Sequence, residues 1–586
     1  MKNVTILIRS IKEVTMATPL FSLINIIILG LFAVLPVAIT ILVSELLDAI
    51  TQYLNGQGGQ NGIIYFGSLF VLLYLIQYSL YTVQSISENY GIYEKTLHIL
   101  KMRLGLKYAR LPLIAHEDAD THNLAQRAKE CVQNDMIPKT YLLFLKSISL
   151  FIGIVGISLG LTRYHILLLP VCLLSTIPYL ISRILRGKEF YRLKYNQAPL
   201  KRKEDYYWKL FSNSSAVKEF RVTNTSDYMM NKWLEIQKQV SQENWKFHKK
   251  DSRSLLFCNL LKSMSFIGCF ILILYLLQQK QLSIGVFGAS IYAIREVQNG
   301  VKNLMLQVGS LPQYASIAAD YYEFLDLEEE NNGVQKLADW QTLSVDAVSF
   351  SYPNAHKKAI NDVSFIVNQG EKVVIVGENG SGKTTLAKLL LGFFEPNEGT
   401  IYYDQVSLNE LEKENFYRQV AMMPQDFGQY ELTLRENIGI SAIEKMQNDA
   451  AIRQVLTENL FEKSINLDDQ IGRDFEGQAF SGGEWQKIAL SRTMFKESRQ
   501  VFLDEPTSAL DPVAETEILK KLLAISESKT AFIVSHRVGL AKYADRILVM
   551  REGKLVENGT FQELLEMKAE FYRLYTTQGK WYQTGE

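Results

Sequence analysis

The sequence predicts two parts, a bundle of membrane-spanning α-helices with long cytoplasmic extensions and an α/β domain after it. Long apolar runs crowd roughly the first 300 residues and are absent afterwards. Further along, apolar runs shorten to strand length, as in KVVIVG and QVFLDE, and alternate with helical patterns, which is typical of a parallel α/β fold. We therefore expect a membrane domain over residues 1–325, a linker over 326–341 and the α/β domain over 342–586.

Six apolar runs in the first part each have the length that a lipid bilayer requires. A spanning helix needs about 20 predominantly apolar residues. A buried helix of a soluble protein can be as apolar as this, but six such runs favour a multi-pass membrane protein. They lie at residues 23–43, 62–83, 141–161, 166–185, 255–277 and 282–306, the last being the most polar.

The charges between the runs predict their orientation. The connections after the first, third and fifth runs carry at most one Lys or Arg each, whereas segments 84–140 and 186–254 are long and rich in both. By the positive-inside rule these two segments and both chain termini are cytoplasmic, with the cell membrane, here a bacterial plasma membrane, as the expected location. The long segments read as spanning helices that continue into the cytoplasm and turn there.

The overall composition excludes several classes of protein. The chain has 62 basic and 62 acidic residues, so nothing suggests a nucleic-acid partner. Its four cysteines lie far apart without a C-x-x-C pair, which argues against a disulfide framework or a zinc site and favours small buried apolar residues. The N-terminus is amphipathic and lacks the pattern of a cleavable signal peptide.

The stretch VVIVGENGSGKTTLAKLLLG runs from a predicted buried strand through a glycine-rich loop into a helix. Gly377, Gly380 and Gly382 allow the backbone to turn so that its N–H groups face phosphate oxygens. Lys383 would reach the β- and γ-phosphates, and Thr384 would offer a hydroxyl to Mg²⁺. The pattern predicts a P-loop that binds nucleotide phosphates together with Mg²⁺.

A second motif, QVFLDE, ends an apolar strand with two acids. Asp504 is placed to orient Mg²⁺, and Glu505 is placed to polarise the attacking water. Two adjacent acids after a strand can also be a capping pair, but their position downstream of a P-loop favours the catalytic interpretation.

A third motif, SGGEWQKIALSR, begins where a helix is predicted to start. The helix dipole, the Ser481 hydroxyl and the N–H groups of Gly482 and Gly483 all favour an anion there. No cysteine or histidine stands nearby to suggest a metal or a nucleophile.

Four motifs in this order, GENGSGKTT, FSGGEWQ, LDEPTSALD and IVSHR, resemble the ATP-binding cassette of ABC transporters, and the likeness covers essentially residues 342–586. The six spans before them resemble the membrane half of an exporter-type half-transporter. The resemblance implies that Tyr352 stacks on adenine, that Gln425 senses the γ-phosphate and Mg²⁺, and that His536 contacts the γ-phosphate.

The resemblance implies three sets of site residues. The catalytic set is Glu505, His536 and Gln425, and the metal set is Thr384, Gln425 and Asp504. The nucleotide-binding set is Tyr352, Gly377, Glu378, Asn379, Gly380, Ser381, Gly382, Lys383, Thr384, Thr385, Gln425, Ser481, Gly482, Gly483, Glu484, Asp504 and His536.

The resemblance also implies a dimer, because in this family the SGG motif caps the ATP held by the P-loop of the opposite cassette. One chain carries half of each composite site, so we expect a homodimer through both the membrane and the nucleotide-binding domains. Two residues depart from the usual motif: Phe480 stands where Leu is commoner, and Glu484 where Gln is commoner.

Among the exporters, MPQDFGQYELTLRENIGI and GRDFEGQAFSGGEWQKIALSRTMFK look most like the nisin-type lantibiotic exporters. The turns LIAHEDADTHNLAQRA and YYWKLFSNSSAVKEFRV are similar to the cytoplasmic turns of that group, which dock into grooves on the cassettes. This implies ATP-driven export of a ribosomally made, modified peptide. The first span begins near residue 19 and leaves no room for a protease domain, so peptide-modifying enzymes and a separate leader protease are the expected partners.

Two alternatives to a peptide exporter stay open at this point. One is a lipid or multidrug exporter with the same ATP-driven cycle, and the other is a membrane sensor that binds ATP without transport. Four ionisable residues inside the spans are the pointers to a cargo path, because charge at membrane depth is costly and usually faces a cavity or a partner. They are Lys146, Lys262, Arg295 and Glu296.

Overall fold

The structure is a computed structural model that describes residues 2–170, 176–461, 463, 465–472, 475–506 and 529–583. Three predicted features fall partly outside the described residues. These are the middle of the fourth apolar run, at 171–175, two residues of the GRDFEGQAF stretch, at 473–474, and the end of the LDEPTSALD motif, at 507–511.

The chain forms two compact units. The first consists of residues 1–109 and 123–327, and the second of residues 110–122 and 328–586. The short segment 110–122 therefore belongs with the C-terminal unit, although it lies in the sequence between two membrane helices.

Helices build the N-terminal part of the chain, and a π-helical turn over Ser87–Glu94 joins α3 to α4. Their bounds are α1 Lys2–Ala17, α2 Pro19–Leu54, α3 Gln60–Ile86, α4 Lys95–Arg110, α5 Leu113–His116, α6 Ala119–Gln133, α7 Met136–Tyr164, α8 Thr176–Ser212, α9 Ser214–Thr223, α10 Ser226–Gln278 and α11 Ile284–Leu325.

Four helical segments among the described residues are long and apolar enough to cross a membrane, and they contain the first, second, third and fifth apolar runs. These segments are Pro19–Leu54, Gln60–Arg110, Met136–Tyr164 and Ser226–Gln278. The sixth run lies in the continuous but more polar helix α11. Because α10 has 53 residues, it is about 80 Å long and extends well beyond the hydrocarbon layer.

The first unit exposes large apolar side chains on its outer surface and buries a smaller cluster inside. Leu31, Val71 and Ile271 are among the exposed ones, as expected for helices that face lipid. The buried cluster joins α7, α10, α11 and the segment after α7, and it consists of Ile157, Leu161, Leu168, Cys269, Ile273, Ala293, Ile294 and Val297. Of the predicted buried cysteines, Cys131, Cys258 and Cys269 are buried and free.

Two sheets form the second unit. Their strands are β1 Thr342–Phe350, β2 Ile360–Asn368, β3 Lys372–Gly377, β4 Glu398–Tyr403, β5 Val406–Ser407, β6 Val420–Met423, β7 Gln500–Asp504, β8 Thr530–Val534, β9 Arg546–Arg551 and β10 Lys554–Gly559. The six-stranded sheet has the order β10-β9-β3-β8-β7-β6 and is parallel except for the β9–β10 hairpin. The smaller sheet, β2-β1-β4-β5, is antiparallel and was not predicted from the sequence.

The helices of this unit are α12 Lys383–Leu390, α13 Lys413–Arg418, α14 Leu434–Gly439, α15 Asp449–Glu458, α16 Gly482–Phe495, α17 Phe561–Met567 and α18 Glu570–Gln583. Strands β3, β7 and β8 are neighbours and parallel. Their carboxyl ends therefore share one edge of the sheet, which is where open α/β sheets bind their ligands.

Candidate nucleotide-binding site

The P-loop joins the end of β3 to the start of α12 and requires glycine at defined places. Gly377, Gly380 and Gly382 have φ of 152°, 76° and 102°, values that side chains rarely tolerate. A Cβ atom on Gly377 would lie 2.2 Å from the carbonyl oxygen of Met550, and one on Gly382 would lie 2.7 Å from that of Ala359. Gly377 and Gly382 are therefore required by space as well as by backbone angle.

The loop surrounds a buried lysine and an unpaired hydroxyl. The Lys383 Nζ donates to the carbonyl oxygens of Gly377 at 3.0 Å and Glu378 at 2.9 Å. Burial lowers the pKa of Lys383, and the nearby Glu505 and Asp504 carboxylates oppose this shift. The Ser381 Oγ is buried without a hydrogen-bond partner in the described part of the chain. An unsatisfied hydroxyl in a loop that curls around an ammonium group suits a phosphate oxygen.

Thr384 and Asp504 place two oxygen ligands side by side. The Thr384 hydroxyl donates to the Asp504 Oδ1 at 3.3 Å, and burial raises the pKa of Asp504 despite that bond. A bound cation would favour the ionised carboxylate, and oxygen ligands of this kind suit Mg²⁺. Thr384 and Asp504, with Gln425, are the residues predicted to hold Mg²⁺ against nucleotide phosphates. The described residues contain no cluster of three or more His, Cys, Asp or Glu side chains that could hold a metal.

The Glu505 carboxylate lies between two polar side chains at the end of β7. Its Oε2 accepts a hydrogen bond from the Gln425 Nε2 at 3.1 Å, and its Oε1 lies 3.2 Å from the His536 Nδ1. The backbone of Glu505 has a φ of 49° and its N–H donates to the carbonyl oxygen of Val534 at 3.0 Å. The predicted catalytic residues thus meet at one carboxylate, which is oriented from both sides and can accept a proton from water.

The predicted adenine-stacking residue lies beside the same loop. The Tyr352 hydroxyl is 3.2 Å from the Thr385 Oγ1, and its ring packs edge-on against Phe350 and Phe394. The structure therefore brings an aromatic ring next to the start of α12. Adenine stacking itself stays a prediction.

The outer rim of the P-loop has a partner that the sequence did not predict. Beside the loop lies a cavity of about 420 Å³ that Asn379, Gly380 and Ser381 help to line. Here Arg573 of α18 donates to the Glu378 Oε1 at 2.6 Å and also pairs with Glu570. Because Arg573 and Glu378 are 195 residues apart in the chain, no local sequence pattern predicts that they pair.

Helix α16 begins at the SGG motif with Ser481 as its N-cap. The Ser481 Oγ accepts a hydrogen bond from the Glu484 N–H at 3.3 Å, and the Glu484 Oε2 accepts from the Ser481 N–H at 2.7 Å. Gly482 is exposed and Gly483 half-buried in the first turn. In the described part of the chain the side-chain hydrogen bonds of Ser481 are those with Glu484.

The segment 110–122 contacts the helix that starts at the P-loop. Ile114 packs against the main core of the second unit, and the Glu117 Oε1 lies 3.1 Å from the Nζ of Lys388 on α12. The sequence predicted that the turn LIAHED docks on a cassette but did not name these contacts.

Comparisons with known proteins agree with this arrangement. Residues 360–508 match the protein family described as ABC transporter. The subtilin transport ATP-binding protein of Bacillus subtilis is 35% identical over 390 residues, which are 65% of this chain and 63% of that protein. The nisin transport ATP-binding protein of Lactococcus lactis subsp. lactis is 29% identical over 528 residues, 87% of each chain.

The likeness is not confined to peptide transport proteins. An ATP-dependent lipid A-core flippase of Haemophilus ducreyi is 37% identical over 263 residues, which are 44% of this chain and 45% of that protein. The solved structure of a bacterial Atm1-family ABC exporter with ATP bound superposes with a TM-score of 0.80 at 19% identity, covering 94% of this chain and 98% of that one.

At that identity the superposition shows the fold, and the family match shows the type of ATP-binding domain. Domains of this type are ATPases coupled to transport. The chain therefore carries an ABC transporter domain, which follows an N-terminal helical membrane domain as in the half-transporters that it resembles.

Proposed function

We propose that the chain is an ATP-driven exporter that works as a homodimer and moves a ribosomally made, modified peptide of the lantibiotic or bacteriocin type from the cytoplasm to the outside. Both termini would lie in the cytoplasm. The observation that carries the ATP-driven part is the Glu505 carboxylate, which lies between Gln425 and His536 at the sheet edge that also holds the P-loop. Peptide-modifying enzymes and a separate leader protease are the partners expected of such a system.

In the proposed cycle each cassette supplies complementary groups to two sites. Lys383 and the P-loop amides bind the phosphates, and Mg²⁺, when bound at Thr384 and Asp504, neutralises charge on them. Glu505 takes the proton of the attacking water, and Gln425 and His536 keep its carboxylate in place. Ser481 and the N-terminus of α16 reach the γ-phosphate held by the second chain, so hydrolysis requires two closed cassettes.

The cargo side of the proposal rests on a cavity of about 710 Å³ in the first unit. Helices α2, α3, α7 and α11 supply its walls, and tyrosines, amides and charges make up much of the lining. The polar residues are Tyr74, Gln77, Tyr78, Tyr81, Gln84, Lys146, Ser149, Tyr292, Arg295, Glu296, Asn299, Asn303 and Gln307. Polar groups at membrane depth are costly and mark transport pathways.

The four intramembrane charges differ in their partners. Lys146 pairs with Glu88 at 2.8 Å, and Lys262 donates to the Asn299 Oδ1 at 2.8 Å. Arg295 and Glu296 both line the cavity, and among the described residues neither side chain has a hydrogen bond or an ion pair within 4 Å. These two charges are therefore the ones that a cargo could satisfy.

A polar wall that carries both a cation and an anion suits a peptide better than an acyl chain. A peptide offers backbone amides and charges of both signs, whereas a lipid tail gains nothing from tyrosine hydroxyls and side-chain amides. The likeness to subtilin and nisin transport proteins supports the same choice. A lipid or drug exporter is the second candidate, since a lipid A-core flippase also matches.

We predict that Arg295→Gln and Glu296→Gln each weaken stimulation of the ATPase by a peptide cargo. Losing one hydrogen-bonded charge costs about 1.5–3 kcal/mol, so the peptide concentration for half-maximal stimulation should rise roughly 10- to 100-fold. The measurement uses purified protein in phospholipid vesicles with lantibiotic precursor peptides, with and without their leaders. Glu323→Gln, at an exposed position of the same helix, is the matched control.

The same vesicles separate the candidate functions. Stimulation by lipid A or a drug with none by any peptide would replace the peptide proposal by the second candidate. ATP binding with neither hydrolysis nor transport would favour an ATP-binding sensor.

A further inference from the structure

Glu484 places a negative charge where the proposed function needs a positive environment. It is the third residue of the helix α16 that starts at Gly482, and in the proposed dimer this N-terminus faces the γ-phosphate held by the second chain. A carboxylate and a phosphate that lie close together repel each other, because both are negatively charged. The structure shows how this charge is offset.

The positive charge that offsets Glu484 is Lys463, which precedes the motif in the sequence and belongs to none of the predicted motifs. Its Nζ is 3.3 Å from the Glu484 Oε1 and 4.4 Å from the centroid of the Phe480 ring. It also donates to the carbonyl oxygen of Ala479 at 3.5 Å. One ammonium group thus contacts both residues at which the motif departs from its family, Phe480 and Glu484.

Phe480 is itself fixed by packing. Its ring lies edge-on to Trp485, with 5.7 Å between centroids, and to Phe461, at 5.9 Å. The lysine therefore lies over an aromatic ring that packs against two others, where a cation gains from the ring quadrupole. An exposed ion pair by itself contributes little, but this one has a fixed partner on each side.

Glu484 is in its charged form at neutral pH. Burial raises the pKa of Glu484, but hydrogen bonds from the Ser481 N–H and hydroxyl and from Lys463 outweigh it, so the pKa lies below its ordinary value. The Oε2 is taken by Ser481 and the Oε1 by Lys463. Both carboxylate oxygens thus have partners before any nucleotide arrives.

We infer that Lys463 is a positioning residue of the composite nucleotide site, which neutralises Glu484 and lets the SGG helix accept the γ-phosphate of the second chain. This inference rests on the proposed function. It explains how a carboxylate can stand in the motif where Gln is commoner. It also implies that Lys463 is needed for ATP to bind at the composite site only when residue 484 carries a negative charge.

The test is a double-mutant cycle on the full-length protein in lipid vesicles, with ATP titrated and hydrolysis measured. We expect Lys463→Met to raise the KM for ATP roughly three- to tenfold with a smaller change in kcat, because an unbalanced carboxylate opposes closure on ATP. Lys463→Arg should restore the KM. In the Glu484→Gln background the same Lys463→Met change should alter the KM less than about twofold.

Lys445→Met is the matched control, because Lys445 pairs with Glu497 just beyond the opposite end of the same helix. The melting temperature of each variant shows whether it folds. If Lys463→Met changed the KM for ATP equally in the wild-type and Glu484→Gln backgrounds, Lys463 would have a structural role and the inference would be overturned. An unchanged KM for ATP in the Lys463→Met single variant would also overturn it. A wild-type protein without ATPase activity would overturn the proposed function and this inference together.

Discussion

Replacing Glu505 by Gln is expected to lower ATP hydrolysis by roughly 10²- to 10⁴-fold, the usual contribution of a general base. The amide keeps the shape of the side chain and can still bond to Gln425 and His536, which lie 3.1 and 3.2 Å from the carboxylate. It cannot take a proton from water. ATP should therefore bind and hold the two cassettes closed for long periods, which cross-linking or trapping of labelled ATP would measure.

Glu371→Gln is the control for this variant, because it replaces another carboxylate of the same domain, one paired with Arg546 at 2.9 Å. That change should leave turnover within a small factor of wild type. If Glu505→Gln retained near-normal turnover, the role given to Glu505 would be wrong.

Ser481→Arg is expected to abolish hydrolysis while ATP binding stays largely intact. In the wild-type protein the Ser481 hydroxyl at the N-cap of α16 bonds to Glu484 at 2.9 Å. The arginine fills this position and keeps this end of α16 from the γ-phosphate of the one site to which it contributes. The nucleotide of each chain is still held by its own P-loop. Equilibrium binding of a labelled ATP analogue and steady-state hydrolysis measure the two effects separately.

Mixing Ser481→Arg with Lys383→Ala chains makes this prediction sharper. In a mixed dimer both lesions fall on one composite site and the other site is intact. Random pairing puts half of the dimers in the mixed form, so activity should recover to about a quarter of wild type, if the two sites act independently. Each variant alone should be inactive. Loss of ATP binding in Ser481→Arg alone, or no recovery on mixing, would contradict a site shared between chains.

A parallel α/β domain could be predicted from the sequence, but the smaller antiparallel sheet could not. The buried strands β3 and β7 are unbroken apolar runs, and each leads directly into a motif that binds phosphate or metal. The antiparallel sheet instead depends on pairs such as Val345 with Ile401, which are distant in the chain. Strand pairing of that kind is decided by tertiary packing rather than by local pattern.

The residues of the candidate nucleotide site were predicted individually from the sequence, but the contacts between them were not. Nothing local indicates that Gln425 and His536 share the Glu505 carboxylate, because the three follow β6, β8 and β7 and meet only when the strands align. Lys463, Arg573 and the Lys388–Glu117 pair were missed for the same reason. Each contact joins a motif residue to a side chain outside that motif.

In the membrane domain, composition alone fails to identify one of the predicted spans. Helix α11 contains the sixth predicted span, yet its polar face makes it less apolar than the four segments that qualify by composition. The residues that weaken the signal, such as Arg295, Glu296 and Asn299, are the ones that line the cavity. Where a helix serves a polar path, composition alone understates its membrane role.

Uptake of a labelled precursor peptide into inside-out membrane vesicles tests the central claim most directly, because the cytoplasmic face is then outside. We predict that wild-type vesicles accumulate a lantibiotic precursor peptide only when ATP and Mg²⁺ are added outside, and that Glu505→Gln vesicles do not. Vesicles without the protein report leakage. ATP hydrolysis without accumulation of any precursor peptide, together with ATP-dependent movement of lipid between leaflets, would contradict the account.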